Sequence, residues 1–172
     1  MLALVIGHSK KSKGAYNKDS KLYEFDFNEK LVHDISNILK INHVIIYRRT
    51  YKDLPKDINE LNPSHVISFH CNAFNTKATG TETLYYHKSS KGEQIASILQ
   101  NKMVEILGLP DRGIKPRTAE DRGGYLLRYT NAPCVIIEPF FIDNNFDLKA
   151  ARSKYNQLVQ GFVDALEEVS II

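Results

Sequence analysis

The sequence predicts an α/β fold: a single domain with a mostly parallel, twisted sheet of about six strands flanked by helices. Short runs rich in Val and Ile alternate with longer segments whose apolar residues recur at three- and four-residue steps. Their spacing places helices between many of the strands, the arrangement that builds a parallel sheet. At 172 residues the chain is long enough to bury a real core as one domain.

In chain order, Ala3 to Gly7 is a short apolar run ending in glycine and reads as a strand. Lys10 to Asn17 is a polar loop. Lys21 to Lys40 reads as an amphipathic helix, with Phe27, Leu31, Val32, Ile35, Ile38 and Leu39 on one stripe. His43 to Tyr47 is a second strand. Asp53 to Leu61 is a short helix stopped before Pro63, and His65 to Phe69 is a third strand. Thr81 to Tyr86 is rich in Thr and Tyr and alternates, which predicts a fourth. Gly92 to Leu107 is a second strong helix, ended by Gly108 and Pro110. Asp111 to Gly124, rich in Arg, Gly and Asp, reads as a loop. Tyr125 to Arg128 and Cys134 to Ile137 read as two more strands, and a last helix spans about Asp147 to Glu168.

Composition excludes several classes. The apolar share is 42% and the charged share 25%, both ordinary for a globular protein. A net charge of +3 permits an anionic partner without demanding nucleic acid, and Lys10, Lys11 and Lys13 read as a solvated loop. No apolar run approaches the ~18 residues of a membrane span. Met1 to Ile6 lacks the basic leader and the length of a secretory signal, so no export signal is expected. Cys71 and Cys134 are too few for a disulfide framework. There is no internal repeat, and the last helix leaves no room for a second module, so residues 1–172 are expected to be one catalytic-sized unit and a monomer.

The most informative residue is Glu24. At about 100° per residue it falls near the centre of the apolar stripe of its helix. A carboxylate there is costly unless something charged meets it. Three residues sit where α/β sheets place their ligands, at the carboxyl ends of strands. His8 follows the first strand, His70 closes the third, and Glu138 closes the last. Two histidines and a carboxylate are a common ligand set for catalytic zinc. A further carboxylate beside the metal can serve as general base and then acid. Each residue also has an ordinary reading: a histidine after a strand is usually structural, and a Glu ending a strand is usually solvated or paired. The pattern alone leaves both readings open. Cys71 is a poor co-ligand, because strand neighbours point to opposite faces.

The segments resemble the zinc-dependent N-acetylmuramoyl-L-alanine amidases of bacterial wall turnover and phage lysis. The resemblance lies in Gly7-His8 after the first strand, in Glu24 with Asn28 four residues on, and in Ser68-Phe69-His70-Cys71-Asn72-Ala73. It continues in Gly80-Thr81-Glu82 leading to Tyr85-Tyr86, in Arg112-Gly113, and in Val135-Ile136-Ile137-Glu138 with Phe141 and Asp143-Asn144. It runs from about residue 3 to 165 in the family's order. Departures are Val5-Ile6 before Gly7-His8, where many members have Asp-Pro, and Pro139-Phe140 after Glu138, where Thr-Gly is more usual. The inhibitory helical insertion of some division amidases has no counterpart segment, which implies a constitutively open site.

The resemblance implies one Zn2+ held by His8, Glu24 and His70, with Glu138 as the catalytic carboxylate. The implied partner is peptidoglycan, cut between N-acetylmuramic acid and L-alanine, with no nucleic acid and no membrane insertion. Asn72 is expected to support a ligand, and Arg112 and Arg128 are candidates to pair with stem-peptide carboxylates. Without an export signal, the chain fits a phage endolysin held in the host cytoplasm until release to the wall. Competing readings are a zinc peptidase acting on the stem peptide and a non-catalytic metal- or wall-binding module. A nucleotide-binding domain is disfavoured, since Ser9 to Asn17 contains only Gly14 and no phosphate-cradling glycine pattern.

Overall fold

Six strands make one sheet in the computed structural model, which describes all 172 residues. They are β1 (Leu2–Ile6), β4 (His43–Tyr47), β5 (His65–Phe69), β6 (Thr81–Tyr86), β7 (Asp111–Arg117) and β8 (Cys134–Glu138), in the order β4-β1-β5-β8-β6-β7. Two further short strands, β2 (Tyr16–Asn17) and β3 (Leu22–Tyr23), form a separate antiparallel ribbon. β4, β1, β5 and β8 are mutually parallel, β6 runs antiparallel to β8, and β7 runs parallel to β6. The carboxyl ends of four strands therefore share an edge with the start of β6. Glu82 near that start faces Glu138 across the antiparallel pair.

Two layers of helix cover the sheet unequally. α1 (Glu24–Ile38), α3 (Ser90–Leu107) and α6 (Tyr155–Val169) bury the larger core with Leu2, Leu4 and Ile6 of β1. α2 (Leu54–Leu61) and α4 (Gly124–Tyr129) cover the other face, where Ala3, Val5, Leu84 and Ile136 join a smaller cluster. The alternation of β1 between the two clusters is the period-two consequence of the pleat. α5 (Asn145–Ser153) begins after the turn that follows β8, with the Asn144 side chain accepting from the amides of Phe146 and Asp147. None of the helices is long and apolar enough to cross a membrane.

The observed elements depart from expectation in four places. The first helix starts at Glu24 rather than Lys21, because Leu22–Tyr23 pair with Tyr16–Asn17. Asp111–Arg117 is not loop but the edge strand β7. Its residues are mostly exposed or half-buried, so it carries no apolar run, and an edge tolerates Pro116. Tyr125–Arg128 is not a strand but lies in α4. Four residues are too few for periodicity to separate the two, and Gly123 at φ +81° turns the chain into the helix. The last helix is two, broken at Lys154, which has φ −109° and ψ 18°. The sheet still has six strands, with Asp111–Arg117 rather than residues 125–128 supplying the sixth.

Candidate active site

Glu24, the first residue of α1, is buried, and its carboxylate is bracketed by two imidazoles. Oε2 lies 3.0 Å from His8 Nε2, and Oε1 lies 2.9 Å from His70 Nδ1. The backbone amides of Ala15 and Cys71 donate to the same carboxylate at 3.1 and 3.0 Å. Burial is the largest single influence and pushes the Glu24 pKa up. Hydrogen bonds and charge from His70 and His8 together override it and hold the carboxyl far below its usual range. The partner of the apolar-stripe carboxylate is thus a pair of histidines from two neighbouring strands.

Backbone geometry permits this convergence. β1 and β5 are adjacent, and the Gly7 amide donates to Phe69 O at 2.9 Å, continuing the ladder one residue past the end of β1. A Cβ at residue 7 would stand 2.4 Å from that oxygen and 2.7 Å from the His70 ring, so only glycine fits. His8 then takes φ 67°, a conformation that L residues adopt at a cost. Gly14, at φ +77°, passes directly over the group. A Cβ there would approach His8 Cδ2 to 2.5 Å and Glu24 Oε2 to 2.6 Å.

The ligating atoms of His8, Glu24 and His70 lie within 4.8 Å of one another. Two imidazole nitrogens and one carboxylate oxygen, converging on one side of a cavity, are a donor set that fits zinc. Asn28, one turn beyond Glu24, does not join them. It meets Cys71, with Nδ2 3.7 Å from Sγ, and burial pushes that thiol well above its ordinary pKa. Cys71 is accordingly inert and faces the larger core.

Glu138 lines the same cavity of about 610 Å³ as the three residues above. Its burial pushes the carboxyl pKa up, and the charge of Arg122 opposes that shift. Arg122 Nη2 donates to both oxygens, at 2.6 and 2.7 Å, and also reaches Asn72 Oδ1 at 3.3 Å. Asn72 turns its Nδ2 to Glu82 at 2.8 Å, and Arg112 Nε donates to the other oxygen of Glu82 at 2.8 Å. A continuous polar chain therefore runs from Arg112 through Glu82, Asn72 and Arg122 to Glu138.

The structure brings His8, Glu24, His70 and Glu138 into one cavity and sets Asn72 beside it. Arg112 and Arg128 do not line it. Arg112 is committed to Glu82, and Arg128 stacks on the rings of Tyr86 and Tyr129. Two other arginines do line it, Arg48 and Arg122. Arg48 directly follows β4 and could have been found by the strand-end rule that singled out His8 and His70. Arg122 lies in a loop with no pattern to mark it.

This fold and its edge-mounted site define the class, and the chain belongs to the N-acetylmuramoyl-L-alanine amidase family, whose sequence profile matches residues 2–168. An amidase structure from Clostridium difficile 630 is similar at 27% identity with a TM-score of 0.84, covering 97% of this chain and 94% of that one. The catalytic domain of the amidase CwlV from Bacillus (Paenibacillus) polymyxa matches at 25% identity and TM-score 0.82, over 97% and 96% of the two chains. The catalytic domain of the CD27L endolysin shares the fold, with 23% identity and a TM-score of 0.78, over 97% and 96%. Among sequences, the amidase LytC of Bacillus subtilis is 31% identical over 84 residues. That match takes in 47% of this chain and 16% of LytC, and the match to a cell-wall amidase of Bacillus anthracis likewise takes in 16% of that protein.

Proposed function

We propose that the chain is a zinc-dependent hydrolase of peptidoglycan that cuts the amide between the lactyl group of N-acetylmuramic acid and L-alanine of the stem peptide. The observation that carries this reading is the placement of Glu138, buried and close to His8, Glu24 and His70 in one cavity. A zinc ion held by those three residues would supply Lewis-acid chemistry, withdrawing electrons from the scissile carbonyl and making water more acidic. Glu138 takes a proton from the attacking water as the carbon–oxygen bond forms. It returns a proton to the alanine nitrogen as the carbon–nitrogen bond breaks. Burial pushes its pKa up, which makes it a stronger base than a solvated carboxylate, and the charge of Arg122, which donates to both of its oxygens, pulls it back. The backbone amides of Ala15 and Cys71 donate to the Glu24 carboxylate and hold it between the two imidazoles.

The test is hydrolysis of purified cell wall by the protein as isolated, after chelation, after zinc is restored, and by Glu138→Ala. Expected products are free L-alanine amino termini, lost on chelation, regained with zinc and absent for the variant. New termini inside the peptide would instead identify a stem-peptide peptidase, and metal binding without any product would identify a non-catalytic module. An endolysin role belongs to this proposal. It predicts that protein added from outside lyses susceptible Gram-positive cells, and intact cells after such exposure would remove it.

A further inference from the structure

Arg48 is the guanidinium in the catalytic cavity that has no acidic partner. Arg122 is engaged by Glu138, whereas Arg48 makes no hydrogen bond or ion pair. It is half-buried, and its guanidinium carbon stands 5.6 Å from the centre of the Tyr51 ring, which itself lines the cavity. A cation that has lost part of its water without gaining a carboxylate is costly unless an anion from outside completes it. The planar guanidinium fork suits a carboxylate, and an aromatic face supports it without competing for its hydrogen bonds.

Its surroundings point the same way. A second cavity of about 430 Å³ shares His8 and Arg48 with the first, and adds Ser9, Lys10, Lys11, Tyr47 and Arg49. Four cations line it and no carboxylate does. Arg49 is tied to Asp57, and Lys10 reaches Glu29 only at 3.8 Å. Lys11 and Arg48 have no acidic partner. A basic path therefore leaves the His8 side of the site toward the carboxyl end of β4.

We propose that Arg48 is a substrate-binding residue that takes a free carboxylate of the stem peptide, so that the leaving peptide lies along the β4 side. The inference rests on the amidase reading above. Near the scissile bond the saccharide of peptidoglycan is uncharged, whereas the stem peptide carries carboxylates. The other anion of many walls is the phosphate of attached teichoic polymers, and the test separates the two.

The probes are one preparation of Gram-positive walls in three forms: native, amidated with carbodiimide and ammonia, and stripped of teichoic phosphate with hydrofluoric acid. Initial rates of L-alanine amino-terminus release are measured for zinc-loaded wild type, Arg48→Gln and Arg48→Lys. A charged hydrogen bond of this kind corresponds to about ten- to a hundredfold in affinity. Amidation should therefore raise the apparent KM of wild type about ten- to a hundredfold, with little change in kcat, while phosphate stripping leaves it in place. Arg48→Gln should show the raised KM on native walls and no further rise on amidated ones. Arg48→Lys should fall between, because an ammonium keeps the charge without the fork. Equal KM for wild type on native and amidated walls, or a further rise for Arg48→Gln on amidation, overturns the assignment. Loss on phosphate stripping would overturn it in favour of phosphate. If native walls yield no L-alanine termini at all, the amidase reading itself fails and the subsite falls with it.

Discussion

Arg122 Nη2 sits 2.6 Å and 2.7 Å from the two carboxylate oxygens of Glu138, reaching from a largely exposed position to one of the most buried acids in the chain. Burial pushes the Glu138 pKa up and the guanidinium pulls it back. Arg122→Ala removes the opposing influence, so the pKa of Glu138 rises further. A general base acts only when ionised, and the acid limb of the pH profile of kcat/KM should therefore move to higher pH. Arg122→Lys should move it less. Profiles of both variants that superimpose on wild type would show that the pair does not tune the base.

Glu24→Gln tests the other carboxylate. In the folded protein Glu24 is held ionised far below its usual range, whereas in the unfolded chain it protonates in the ordinary carboxylate range. Its contribution to stability is thus complete above that unfolded range and declines as pH falls toward the depressed folded value. Urea midpoints of metal-free wild type should drop more between neutral and acid pH than those of Glu24→Gln. Parallel losses in the two proteins would contradict this. Zinc content by mass spectrometry should also fall for Glu24→Ala but persist for Glu138→Ala.

Gly14→Ala places a methyl group where His8 and Glu24 already stand, at 2.5–2.6 Å, and at a φ of +77°. The left-handed backbone alone costs about 1–2 kcal/mol for a residue with a Cβ. We expect a loss of stability of at least that size in urea unfolding. Zinc affinity, measured by competition with a chromogenic chelator, should weaken about tenfold or more as the donor atoms are pushed apart. Unchanged affinity would mean that the loop over the site yields freely.

Asp147 holds the turn that follows Glu138. It is fully buried and accepts from the amides of Gly80 and Phe141, each at 3.0 Å, and from the Thr79 hydroxyl. Asp147→Ala leaves those amides buried without partners, which costs on the order of 1–3 kcal/mol each. A total loss of about 3 kcal/mol or more is expected from chemical denaturation. A loss below about 1 kcal/mol would mean that the turn finds other acceptors.

Strand ends made much of the site legible. Val and Ile runs located β1, β5 and β8, and the residues closing them, His8, His70 and Glu138, reach one cavity with Glu24. Glu24 was conspicuous because a carboxylate in an apolar helical stripe must be compensated. β7 and α4 were not legible. β7 is half-exposed at the sheet edge and has no apolar period, and α4 is held against the sheet by Leu126 and Leu127 rather than by a pattern of its own.

The sequence by itself determined which backbone segments can become strands and helices, and it singled out the chemical groups at their ends, because both depend on neighbours a few residues apart. The tertiary structure alone decided how the cations are shared. Arg112 goes to Glu82, Arg122 to Glu138, Arg128 to two tyrosine rings, and Arg48 is left without an acid. A long flexible guanidinium takes whichever carboxylate or ring the packing of distant elements brings within reach, and local sequence does not encode that distance.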